Sequence, residues 1–155
     1  MYNKTHYLEL LQYSQDLESQ GKSFWDEKEK YLEFLRYRIL LNDHFYYQEK
    51  DQYVSLLKDF IDRKIDGIEF ETKFLKMFNE DGDRHELFQT DFEKLKNFEP
   101  DPKSKGFSAL LTTIFEDCDR FDPDPQEDYE ISEAELRDSV RKIFLEIQFN
   151  FLQNF

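Results

Sequence analysis

A single cysteine, Cys118, in a chain of 155 residues excludes a disulfide framework and any zinc site built on thiolates. The three histidines, His6, His44 and His85, lie too far apart for the paired-histidine helix spacing of a metalloprotease. Glycine and proline are scarce, four of each, so the chain lacks the turns that a many-stranded sandwich or barrel needs, and the fold expected is all-α. No window holds the roughly 20 apolar residues of a membrane span. The first nineteen residues carry acids and amides where a secretory leader needs an apolar run, and they lack the arginine-rich character of a transit peptide. The expectation is a chain that stays where it is made: the cytoplasm, or the stroma or matrix for a gene in an organelle genome. There is also no glycine-rich phosphate loop, no nucleophile elbow and no histidine beside a nucleophile, so binding is expected rather than catalysis.

What the chain does have is aromatic side chains and negative charge. Seventeen phenylalanines and nine tyrosines are incompatible with disorder. Thirty-five acidic residues against 21 basic ones leave a net charge of −14. A field of that sign repels phosphate and anionic lipid, which argues against nucleic acid and membrane surfaces as partners and favours a basic protein.

Hydrophobic periodicity predicts helices almost throughout. Leu8, Leu11 and Leu17 mark a short helix over 5–20, closed by Gly21 where a C-cap wants positive φ. Ser23, with Asp26 three residues on, reads as the cap of a helix running to about Tyr47, with one stripe of Leu32, Leu35 and Ile39 and a second of Tyr31, Phe34 and Leu41. Residues 51–65 carry Tyr53, Leu56, Leu57, Phe60 and Ile61 on one face. Asp66-Gly67-Ile68-Glu69 opens a helix that turns Phe70, Phe74, Met77 and Phe78 inward, and Asn79 to Asp83 reads as a turn. A less regular helical piece follows with Leu87, Phe88, Phe92, Leu95 and Phe98, ending in a loop over 99–106. Phe107, Leu110, Leu111, Ile114, Phe115, Cys118 and Phe121 fit the 3.6-residue period, with Cys118 an inert core thiol. Asp122-Pro123-Asp124-Pro125 must leave the α region. The capping box Ser132-x-x-Glu135 starts a last helix that buries Leu136, Val140, Ile143, Phe144, Ile147 and Phe151.

Charge is concentrated in one place. Between Glu116 and Asp138 stand eleven carboxylates opposed by Arg120 and Arg137 alone, which accounts for nine of the fourteen net negative charges. Glu116, Asp117 and Asp119 fall on the side of their helix away from the apolar stripe, and Asp122 and Asp124 continue them into a proline-braced loop. Such a patch costs self-repulsion that a cationic partner would relieve. A calcium loop starting at Asp124 would place ligands at Asp124, Gln126, Asp128 and Glu135, but Tyr129 stands where its sharp turn requires glycine. Neither a metal nor a cofactor is expected.

Three stretches together resemble a known family: Lys64-Ile65-Asp66-Gly67-Ile68-Glu69-Phe70-Glu71, the run Ile114 to Asp124 containing Arg120-Phe121-Asp122-Pro123-Asp124, and Tyr129-Glu130-Ile131-Ser132-Glu133. In order and spacing they are similar to the colicin D type immunity proteins, within the bacterial self-protective, colicin-like immunity domains, over roughly 51–148. The resemblance implies a compact antiparallel four-helix bundle that binds a basic tRNA-cleaving toxin domain and blocks its active site. It further implies that acidic side chains at the end of the third bundle helix and in the following loop stand in for tRNA phosphates. The matching positions are Asp119, Asp122 and Asp124, flanked by Glu116, Asp117 and Asp128. Residues 1–50 are then an N-terminal helical extension, and 51–155 the bundle. The alternative is an acidic structural or regulatory adaptor that binds a housekeeping protein through the aromatic N-terminal helices, using Tyr31, Phe34 and Tyr37.

Overall fold

The computed structural model describes residues 3–84 and 97–152. Within them are α1 (Lys4–Ser19), a 3₁₀ turn (Phe24–Asp26), α2 (Lys28–Gln48), α3 (Lys50–Ile61), α4 (Gly67–Asp83), α5 (Ser104–Arg120) and α6 (Glu133–Phe151). The helical piece expected around Leu87, Phe88, Phe92 and Leu95 lies outside the described residues, and Phe98 at its end is buried.

Helices α3 to α6 form the antiparallel bundle, each packed on its two neighbours in a ring, and the amphipathic faces read from the sequence fill its interior. Tyr53, Leu57, Phe60, Phe70, Phe74, Phe107, Leu111, Ile114, Leu136, Val140 and Ile147 are all fully buried. Stacked rings run through the core from Phe60 to Phe70 (4.4 Å between centroids), Phe74 (5.8 Å), Phe78 (5.7 Å) and Phe115 (5.0 Å). Offset stacking at such distances adds to the stabilisation from area burial alone. Phe115 closes this stack at the edge of the core and is only partly buried, so its removal weighs less than that of Phe74.

Helix α2 joins the bundle to α1. Its C-terminal end packs on α4 and α5, with Tyr46 stacked on Phe78 at 4.7 Å, and Asp43 is buried beside Ser108. Burial pushes the Asp43 carboxyl up, while a hydrogen bond from Ser108 and the charge of Lys105 hold it down. One face of α2 also meets α1 in a second apolar cluster of Tyr7, Leu10, Leu11, Phe34, Tyr37, Leu41, Phe45 and Phe98.

Several expectations need correction. In α2 the stripe of Phe34, Tyr37 and Leu41 is the inward one, whereas Leu32 and Ile39 are 46% and 57% exposed. The aromatic face wins because Tyr37 stacks on Tyr7 at 5.1 Å, and the same contact buries Tyr7 and Leu10 of α1 beside the expected Leu11, leaving Leu8 packed at the edge of the cluster and Leu17 half-buried. Phe34 and Tyr37 are therefore core residues, unavailable to the partner that the adaptor reading gave them. Ser23 caps the 3₁₀ turn through a bond from the Trp25 N–H (3.2 Å), and α2 begins only at Lys28. Gly21 does take positive φ, at 70°.

Asn79 to Asp83 is not a turn, because α4 continues through it. Tertiary anchors override the local sequence there: the Tyr53 hydroxyl donates to Asp81 at 2.6 Å, and Arg84 pairs with Glu49 at 3.2 Å. Helix α5 starts at Ser104, earlier than the Phe107 stripe, since Asp101 accepts the Lys103 N–H at 2.8 Å and tightens the entry. The capping box of α6 is formed as read, with Ser132 accepting the Glu135 N–H and the Glu135 carboxylate accepting the Ser132 N–H.

Candidate functional site

The end of the bundle where α4 begins, α5 ends and α6 begins holds the acidic sequence. Helix α5 stops because Phe121 adopts extended backbone (φ −70°, ψ 131°) ahead of Asp122-Pro123. The chain returns eleven positions on from Arg120: the Ile131 N–H donates to the Arg120 carbonyl (2.9 Å) and the Asp122 N–H to the Ile131 carbonyl (3.0 Å). This pairing of Phe121 with Ile131 ties the two ends of the loop together. Inside the loop, Asp122 accepts the Asp124 N–H (2.8 Å), Glu130 accepts the N–H groups of Gln126 (3.3 Å) and Glu127 (2.9 Å), and Arg120 Nε donates to the Tyr129 carbonyl (2.9 Å). A loop so extensively bonded to itself presents its remaining carboxylates in fixed positions, which lowers the ordering cost of any association.

Gly67 locks this loop to α4. Its N–H donates to the Glu133 carboxylate, and a β-carbon there would stand 2.6 Å from the tip of the Phe121 ring and 2.8 Å from Glu133 Oε1, so any larger residue must displace one or both. Glu133 also pairs with Arg137 (3.2 Å), whose buried guanidinium donates to the Phe60 carbonyl at 3.0 Å and lies over the Phe60 ring. The network explains why an arginine can sit in the apolar seam: its donors are matched and its charge is paired.

The six acidic residues singled out from the sequence take different places. Glu116, Asp119, Asp124 and Asp128 are exposed, with no ion-pair partner among the described residues. Asp122 is half-buried and braces the loop, while Asp117 turns into the α5–α6 seam, where the Ser139 hydroxyl donates to it and Arg120 lies 3.9 Å away. A seventh carboxylate joins them across the helix interface. Glu71, on α4, is held above the usual carboxylate range by burial and by the charges of Asp119 and Asp122. Sequence reasoning missed it because 48 positions separate it from Asp119, and only the packing of α4 on α5 brings them together. Cys118 behind them is buried, its thiol pushed up to about 12 by burial and by Glu71 and Asp117, as suits an unreactive core thiol.

With this geometry in view, residues 50–146 match the family model of bacterial self-protective colicin-like immunity. The chain belongs to that family. No curated protein and no solved structure matches it. The matched span begins at the first residue of α3 and ends within α6, so it covers all but the last turn of the four-helix bundle and contains every acidic residue of this end of it. An immunity role follows, as does a bacteriocin as partner, in a family that is generally non-enzymatic. Among the described residues no group of three or more histidine, cysteine or carboxylate side chains converges on a metal position, and no helix is long and apolar enough to cross a membrane.

The crowding of Glu71 in this immunity protein has a measurable consequence. A carboxyl whose folded pKa lies above its unfolded value binds its proton more tightly when folded, so this group costs stability as pH rises through that window from the ordinary glutamate value upward. Glu71→Gln should therefore raise the melting temperature at pH 7, and the gain should vanish near pH 4, where wild-type Glu71 is itself protonated. A gain independent of pH would assign the effect to packing.

Proposed function

We propose that this immunity protein inhibits a basic, tRNA-cleaving toxin domain of the colicin D type by placing its end-of-bundle carboxylates where tRNA phosphates would bind. The observation that carries this reading is the last turn of α5 and the self-bonded loop after it, which present Asp119, Asp122 and Asp124 at one end of the bundle without an ion-pair partner among the described residues. Carboxylates fixed in this way pair with the lysines and arginines that a nuclease uses on RNA, so inhibitor and substrate compete for one surface. Helices α1 and α2 form the extension, and the bundle the toxin-binding module. Inhibition takes place in the compartment that holds the tRNA, the cytoplasm for a bacterial cell.

The test is a titration of a purified colicin D-type nuclease domain with the full chain, with tRNA cleavage as readout. Cleavage should fall linearly to zero at one equivalent, and excess tRNA should slow complex formation. Undiminished cleavage, or a complex that still holds tRNA, would overturn the reading.

A further inference from the structure

Four large apolar side chains of the bundle stay in water: Leu145 and Phe149 in the later turns of α6, and, at the acidic end, Ile68 in the first turn of α4, 55% exposed, and Tyr129 in the α5–α6 loop, 66% exposed. The last two stand on fixed backbone. Ile68 follows Gly67, which is clamped against Phe121 and Glu133, and the Tyr129 carbonyl is held by Arg120 two residues before the Ile131 pairing. Tyr129 is flanked in sequence by Asp128 and Glu130, and one turn beyond Ile68 on α4 lies Glu71 with its neighbours Asp119 and Asp122. An exposed aromatic side chain on fixed backbone, with carboxylates on either side of it in the chain, suits an interface anchor, in which one ring is desolvated and nearby charges orient the partner.

We infer that Tyr129 is the apolar anchor of the toxin interface, entering the recess in which the nuclease receives a nucleobase, with Ile68 packing beside the bound toxin. The inference rests on the proposed toxin-binding reading and extends it from phosphate positions to a base position. Single-stranded RNA is gripped by cations on its phosphates and by flat surfaces on its bases, so a protein that imitates RNA needs a flat apolar group among its carboxylates. Tyr129 is that group. Charge complementarity decides the occupant: carboxylates on both helices and on the loop repel a second copy of this chain, a nucleic acid and an anionic lipid alike, and attract a basic protein surface.

The probe is a purified colicin D-type nuclease domain, with affinity and its salt dependence measured by calorimetry or surface plasmon resonance. Tyr129→Ala should weaken binding about tenfold or more and leave both the melting temperature and the salt dependence unchanged, as expected for loss of an uncharged anchor. Tyr129→Phe, which keeps the ring, should retain most of the affinity, and Ile68→Ala should weaken it to a smaller extent. Asp119→Lys serves as the reference for the carboxylate surface. If Tyr129→Ala and Ile68→Ala bind like wild type while Asp119→Lys does not, the anchor is overturned and the toxin reading stands. If the wild-type chain fails to bind the domain, both fall together.

Discussion

Phe74→Ala should destabilise the fold by about 3–5 kcal/mol, a large part of the stability of a domain this size. Phe74 is fully buried, stacks on Phe70 and Phe78 in its own helix, and meets Tyr53 of α3 edge-on at 5.9 Å. Its removal opens a cavity at the centre of a stack that continues into Phe115 of α5, where main-chain elements on all sides limit collapse. Chemical denaturation should show a lowered midpoint with an unchanged slope. Phe115→Ala offers the internal comparison: its ring is partly exposed at the end of the stack, and a loss as large as that of Phe74→Ala would mean the stack is stabilised from its edge instead of its centre.

How much of this was legible in the sequence depends on which interactions decide each element. Helices α3, α5 and α6 were readable because their apolar positions repeat on a single face, and the Ser132 capping box needs only neighbours in the chain. Helix α2 misled because it is apolar on two sides, and the choice between Leu32 and Phe34 as the inward residue belongs to Tyr7, almost thirty positions away. The C-terminal turns of α4 misled for the same reason: Asn-Glu-Asp-Gly-Asp favours a turn locally, but Tyr53 and Glu49 reach it from α3 and the end of α2.

The site was legible in charge and in order along the chain, and illegible in what each carboxylate does. Eleven acids in one stretch look alike as sequence, yet Asp117, Glu133 and Glu135 are consumed by Ser139, Gly67 and the α6 cap, and Glu130 by the loop's own amides. Glu71 joined the surface only through helix packing. The carboxylates still facing solvent without cationic partners, Asp119 and Asp124 among them, are the ones on which a test of binding has most leverage.

Asp119→Lys and Asp124→Lys should each weaken association with the toxin domain by about 2–5 kcal/mol, the cost of leaving an interfacial charge pair broken and its partner cation unpaired. Folding should survive both, since each side chain is exposed and carries no bond of the fold. Asp122 is the poorer site for reversal. Its carboxylate accepts the Asp124 N–H at 2.8 Å, so lysine there would disturb the loop as well as the charge, and Asp122→Asn, which keeps an acceptor oxygen, separates the two effects. The association rate of the wild type should fall steeply as salt is raised, because steering acts over the Debye length of roughly 8 Å at physiological ionic strength. In the double variant Asp119→Lys/Asp124→Lys that dependence should flatten. Equal capture of the toxin domain by both single variants and wild type would show that these carboxylates lie outside the interface and would remove the phosphate-imitation mechanism while leaving family membership untouched.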